Sequence, residues 1–211
     1  MENLKERIQK YYEDKGFDGP PLLTSVGISE AIARYAHEGQ YRENGEIYFN
    51  HPGRLCDRYR DLVGIYDGTF DYDLIWKAEI PYEGVQEVCL LHDVLEDTKV
   101  TMEEIEELFE EQKLGIYFRT WIKEPLKLIT HIKTEKYWDY LLKVAESPIS
   151  LLVKMLDLDD NLKVTDLKVF GEIERERCHN YIEYYYALDK VLDFHNKLIK
   201  YKELLASNQN E

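Results

Sequence analysis

Large apolar residues recur in this chain at i, i+3 and i+4 almost from end to end, and nowhere is a strict apolar–polar alternation sustained as a half-buried strand requires. That periodicity restricts the chain to helices packed on helices, and an all-α architecture is expected. Local signals punctuate it. Thr24 or Ser25 stands ahead of a segment running through Arg42, Pro81 at the first turn of a segment running through Glu96, and Ser147-Pro148 ahead of ISLLVKMLDL. Thr101 with Glu104 forms a capping box that opens a short acidic helix through Gln112. MENLKERIQKYYEDKG reads as an amphipathic first helix.

From about Gly171 to Leu205 the chain is rich in Tyr, Leu and charged residues, giving one long helix or two, with Tyr181, Tyr184, Tyr185, Leu188, Val191 and Leu192 available for one face. Glycine-bearing turns fall at Gly16 to Pro21, Gly39 to Gly45 and Asp67 to Asp73. The last lies in LVGIYDGTFDYDLIWKAEIP, the least periodic stretch, which reads as a loop insertion. No internal repeat is visible.

A length of 211 residues with 44% hydrophobic content suits one substantial domain with a real core. The formal net charge of −15 argues against nucleic acid as a partner, because counterion release needs clustered Lys and Arg. An anionic substrate then needs local help from a metal or a few placed cations. Cys56, Cys89 and Cys178 are odd in number, widely spaced and free of any C-x-x-C pair, so free thiols are expected rather than disulfides or a thiolate zinc site. With no apolar signal region and no run of membrane-spanning length, a cytoplasmic chain without a membrane partner is expected.

The segment Leu90 to Thr98, LLHDVLEDT, sets four polar groups within apolar surroundings. If it is helical, a four-residue step puts His92 beneath Glu96 and Asp93 beneath Asp97, while Leu91, Val94 and Leu95 pack into the core. Clustered buried carboxylates are expensive unless a cation compensates them, and an imidazole beside a carboxylate suits Mn²⁺, Fe²⁺, Zn²⁺ or Mg²⁺. Such an ion needs further ligands. His37, His51, His131, His179, His195 and the acidic cluster Asp157, Asp159, Asp160 are all candidates.

LLHDVLEDT resembles the metal-binding signature of the HD-domain phosphohydrolases, specifically the hydrolase domain of the RelA/SpoT-type alarmone enzymes and their small single-domain relatives. Two further segments match that family in order. AHEGQYRENGEIYFNHP, Ala36 to Pro52, resembles its helix running through Arg and Gly to a His-Pro step. LLVKMLDLDDNL, Leu151 to Leu162, resembles its apolar helix with Val-Lys, a ligand Asp and an Asn four residues later. The three motifs cover about residues 25 to 165, with C-terminal helices over 166–205. The resemblance implies an all-α HD-domain helical bundle with a metal site between central helices, a single hydrolase domain over 1–211, and a hydrolase-only protein.

Carried over by position, the resemblance implies His51, His92, Asp93 and Asp157 as ligands of Mn²⁺, with His37 not a ligand. It implies that Glu96 and Asp97 handle the attacking water, that Arg42 neutralises phosphate charge, and that Asn161 contacts a nucleotide substrate. The implied reaction is hydrolysis of guanosine 3′,5′-bis(diphosphate), ppGpp, to GDP and pyrophosphate. Glu43 stands where the family has Lys, Leu158 replaces a basic residue after the ligand Asp, and Ile47 replaces a turn Pro. Lys163 is a candidate to restore positive charge, and Tyr181 to edge the nucleotide pocket. These departures keep two alternatives open: another nucleotide, such as a 2′- or 3′-phosphorylated dinucleotide, or a nucleotide-binding module with weak turnover. Tyr184, Tyr185 and Tyr186 are expected to be packing residues, and His131, His179 and His195 structural or surface residues.

Overall fold

The computed structural model describes residues 2–63, 82–162 and 171–207, with side chains described as far as residue 191. Among the described residues the regular structure is helical, joined by turns and loops, with one isolated antiparallel bridge between Tyr41 and Ile47. In chain order the helices are α1 (Leu4–Asp14), α2 (Ser25–Ala36), α3 (Asn50–Leu62), α4 (Val85–Leu91), α5 (Val94–Asp97), α6 (Met102–Glu111) and α7 (Gly115–Tyr117). A π-helical turn over Phe118–Ile122 leads into α8 (Lys123–Ile129), followed by α9 (Tyr137–Val144), α10 (Pro148–Asn161) and α11 (Glu172–Ser207).

Several ends follow the local chemistry. Thr101 and Glu104 close their capping box, Ser147 accepts from Ser150 with Pro148 in the first turn of α10, and Thr24 caps α2. A second box, Asn3 with Glu6, starts α1. Two expectations are corrected, and a third, left as one helix or two, is settled. Helix α2 ends at Ala36 rather than Arg42, because the chain turns through His37 and a left-handed Gly39. The helix expected through Glu96 starts at Val85 and breaks at His92–Asp93, which splits it into α4 and α5. The Tyr-rich stretch is one helix, α11. Pro81 and residues 64–81, which hold most of the expected insertion, lie outside the described residues, as does Lys163.

Gly84 shows how tightly α4 is docked. It caps the helix in a left-handed conformation, and a Cβ there would fall 2.4 Å from the Trp121 carbonyl oxygen. With Val85, Val88, Cys89 and Leu91 all fully buried, α4 is the central helix and packs against α2, α3 and α10.

Helix α10 organises the rest. Ile149, Val153 and Leu156 enter the larger core with α2, α3, α4, α6 and α8, whereas Leu151, Met155 and Leu158 enter a second cluster with Tyr140, Leu141, Val144 and Leu188. Each set follows i, i+4, i+7, so two faces of one helix are apolar and buried. The remaining strip carries Lys154, Asp157 and Asn161, and it faces a cleft. Leu158 points into the second cluster, where a basic side chain would find no partner. Tyr184 and Tyr185 pack against that cluster, as expected, while Tyr186 is exposed.

Candidate metal centre

A cleft of about 430 Å³ opens between the α2–α3 loop, α5, α10 and α11. At its floor, donor atoms from α3, the α4–α5 junction and α10 converge. His51 Nε2, in the first turn of α3, lies 3.1 Å from Asp157 Oδ1 and 3.8 Å from Asp93 Oδ2. His92 Nε2 lies 3.0 Å from Asp93 Oδ2 and 3.8 Å from Asp157 Oδ1. Donors about 2.1 Å from one ion, at mutual angles of about 90–110°, lie about 3.0–3.4 Å apart, so this spacing suits a shared divalent cation.

The buried polar atoms give an independent test of that fit. His92 is 3% exposed and its Nδ1 is engaged by the Cys89 carbonyl at 2.9 Å, yet its Nε2 forms no well-aligned hydrogen bond among the described residues. A buried ring nitrogen facing two carboxylates is satisfied by a shared cation, or without one by taking a proton. His51, His92 and Asp157 together form a group able to hold a metal ion, and Asp93 adds an oxygen to it.

A surrounding set of contacts fixes these donors. His51 Nδ1 meets Asp160 Oδ2 at 2.7 Å, and Arg54 clamps that same fully buried carboxylate through Nε and a terminal nitrogen. The pairing directs the other ring nitrogen of His51 inward. Tyr48 donates its hydroxyl to Asp93 Oδ2 at 2.7 Å, with Asp97 Oδ2 the next acceptor at 3.2 Å. Asn161 donates to Asp157 Oδ1 at 2.6 Å, and Lys154 reaches Asp157 Oδ2 at 2.7 Å. Burial opposes ionisation of Asp157, but the Lys154 ammonium and His51 hold its carboxyl well below the usual range.

Two sequence motifs, His51-Pro52 and the Asp157 helix, thus meet LLHDVLEDT in space. Comparison with known proteins sets the chain beside SpoT-type enzymes. The chain is 33% identical over 182 residues to the guanosine-3′,5′-bis(diphosphate) 3′-pyrophosphohydrolase of Aquifex aeolicus, covering 84% of this chain and 22% of that one. It is 25% identical over 207 residues to the bifunctional (p)ppGpp synthase/hydrolase SpoT of Escherichia coli, covering 97% of this chain and 26% of that one. A solved structure described as a metazoan ortholog of SpoT that hydrolyses ppGpp superposes with a TM-score of 0.52 at 20% identity, over 83% of this chain and 95% of the other. The chain belongs to the SpoT-type HD-domain family. No family model matches it. It spans about a quarter of the length of these two curated relatives.

The SpoT-type positions fall as follows. Glu96 lines the cleft and accepts from the His131 backbone N–H at 3.2 Å; burial raises its pKa, and the carboxylates of Asp93 and Asp97 add to the rise. Asp97 is exposed and sits beyond Tyr48, outside the lining. Arg42 and Asn161 are brought together, the guanidinium donating to the amide oxygen at 2.7 Å. The loop presenting Arg42 is closed by the left-handed Gly45, whose N–H donates to the Arg42 carbonyl. Tyr181 lines the wall.

His37 is set apart from the converging donors. It is buried behind Tyr48, its ring stacked on the phenol at 4.5 Å and its Nδ1 paired with Gln40. His131, expected to be a structural or surface residue, lines the cleft instead, whereas His179 is exposed. The side chain of His195 lies outside the described residues. Asp159 faces outward to an ion pair with Arg58. Sequence reasoning missed Tyr48, Arg54, Asp160 as the His51 partner, and Arg177, which lines the cleft opposite Glu43.

Among the described residues no helix is long and apolar enough to cross a membrane. Cys56, Cys89 and Cys178 are free thiols, the first two buried.

Proposed function

We propose that this chain is a metal-dependent phosphohydrolase that cleaves guanosine 3′,5′-bis(diphosphate) to GDP and pyrophosphate. The observation that carries the reading is the convergence of four N/O donors with Glu96, Arg42 and Asn161 in a single cleft. The activities for which the SpoT-type relatives are named support the substrate. Mn²⁺ is the proposed ion, held by His51, His92, Asp93 and Asp157, and the chain is proposed to work as one hydrolase domain in the reducing cytoplasm, in keeping with its three free thiols.

When bound, the ion supplies Lewis acidity that acidifies a water and polarises a phosphoryl oxygen. Glu96 faces the same cleft, and its raised pKa suits it to take the proton of the attacking water as a general base. The water oxygen forms the new bond to phosphorus, the bond from that phosphorus to the ribose 3′-oxygen breaks, and the 3′-oxygen leaves to gain a proton. Asp97 acts at one remove, sharing the Tyr48 hydroxyl with Asp93. Arg42 offsets phosphate charge and Asn161 fixes its orientation, while Tyr181 lends a face for the base.

Mn²⁺-loaded protein is expected to release pyrophosphate from ppGpp, and Asp93→Ala to abolish that release. Glu43, a negative side chain at the mouth of the cleft, favours testing a second substrate beside it: a 2′- or 3′-phosphorylated dinucleotide such as NADPH. Release of phosphate from NADPH with ppGpp untouched would replace the first reading with the second. Tight binding without turnover of either would make the chain a nucleotide-binding module.

A further inference from the structure

The described cations lining the cleft all have protein partners. Lys154 is held by Asp157 and is only 13% exposed; Arg42 is engaged by Asn161 and lies 3.9 Å from the buried Asp160 carboxylate. Arg177 differs. Its terminal nitrogens reach both carboxylate oxygens of Glu43, at 3.2 and 3.5 Å, across the mouth from α11 to the α2–α3 loop. Arg177 is 36% and Glu43 63% exposed, which makes this the most solvated of the three pairings. An exposed ion pair is weak, so it yields first to an incoming anion. Lys154 is tied to the buried Asp157 carboxylate and yields only at the expense of that charge, and Arg42 is the less exposed cation, hydrogen-bonded to Asn161 beside the buried Asp160.

We propose that Glu43 is a specificity-determining residue: it occupies the Arg177 guanidinium in the free protein, and a nucleotide enters by putting a phosphate in the place of the Glu43 carboxylate. The inference rests on the cleft being a nucleotide-phosphate site. Planar, bidentate geometry lets Arg177 accept a phosphate in place of a carboxylate with no change in its own fork of donors. The displaced carboxylate stays on its loop beside the phosphate, and its repulsion grows with the charge brought to the mouth. Glu43 therefore biases the cleft against nucleotides whose outer end carries a polyphosphate and toward those carrying a single phosphate there.

The test is a double-mutant cycle read by calorimetric binding to chelator-treated protein, so that no turnover intervenes. The probes are ppGpp, GTP and GMP. Glu43→Gln is expected to tighten binding of ppGpp and GTP by about 3- to 10-fold and that of GMP by less than about twofold. In an Arg177→Gln background the same change is expected to tighten ppGpp binding by a clearly smaller factor, because only the repulsion remains and the partner whose release it eases is gone. Arg177→Lys keeps the charge and loses the fork, and is expected to recover only part of the affinity. Equal tightening with and without Arg177 overturns the inference, since Glu43 would then act only through its field. Unchanged affinity in Glu43→Gln, or no binding of any probe to either protein, overturns it as well. Turnover of ppGpp by the Mn²⁺-loaded wild-type protein is measured separately, so failure of the proposed reaction and failure of this inference give different patterns.

Discussion

His51 Nδ1 and Asp160 Oδ2 lie 2.7 Å apart, joining residues 109 positions distant along the chain and both almost fully buried. The carboxylate holds the ring so that its second nitrogen faces Asp157 and Asp93, and Arg54 holds the carboxylate. Orientation of a ligand by such a partner is worth about 10- to 100-fold in metal affinity. Asp160→Asn is expected to weaken Mn²⁺ binding by that range in isothermal calorimetry, with the helical circular-dichroism signal retained. Affinity within twofold of the wild type would show that His51 is aligned without Asp160.

Tyr48 makes the corresponding contact to Asp93. Burial, and then the Asp93 carboxylate beside it, raise the pKa of its phenol, so it stays a donor throughout the accessible pH range. Tyr48→Phe removes one hydrogen bond to a charged acceptor and keeps the ring stacked on His37. The expected cost is about 1.5–3 kcal/mol, read as weaker Mn²⁺ binding together with a lower melting temperature of the loaded protein. A variant matching the wild type in both would remove Tyr48 from the site.

The metal-free site should sense pH through His92. Burial pulls its pKa down, but the Asp93 and Asp157 carboxylates outweigh burial and raise it from 6.5 to about 9. A folded-state pKa above the unfolded one contributes stability that is fully present below about pH 6.5 and is lost as pH rises toward about 9. Chelator-treated protein is therefore expected to melt at progressively lower temperature across that window. A divalent cation competes with the same proton, so its affinity should rise as pH rises. Melting curves of the chelated protein that superimpose at pH 6.5 and 8.5 would contradict this account.

Leu158 is fully buried between Tyr140, Leu141 and Leu188. A lysine in its place would put an unpaired ammonium in that cluster. Leu158→Lys is expected to lower unfolding free energy by about 3–5 kcal/mol in urea titrations. A loss below about 1 kcal/mol would mean the side chain escapes to the cleft.

What could be read from the sequence was set by the reach of each contact. LLHDVLEDT, His51-Pro52 and the Asp157 helix carry their chemistry in residue type and local spacing, and Thr101, Glu104 and Ser147 mark helix starts within one turn. Tyr48, Asp160, Arg54 and Arg177 act through contacts made only when distant helices dock, and nothing beside them in sequence announces a partner. Similarly, the break at His92–Asp93 interrupts a segment whose apolar periodicity runs straight through it, because the two residues turn toward a site built by other helices. The end of α2 was legible in principle from Gly39, but the apolar pattern continues past it as far as Tyr41.

The donors that meet in the cleft come from α3, from the α4–α5 junction and from α10, with roughly forty and sixty residues of chain between them. An ion shared among them is also a staple: it ties the ends of two long loops already closed by apolar packing and by contacts such as His51–Asp160 and Tyr48–Asp93. Ligand binding and chain collapse then draw on the same free energy, so occupancy adds to stability by mass action. The supply of divalent metal would thus govern how long the folded chain survives local opening and proteolysis, whether or not a nucleotide is present.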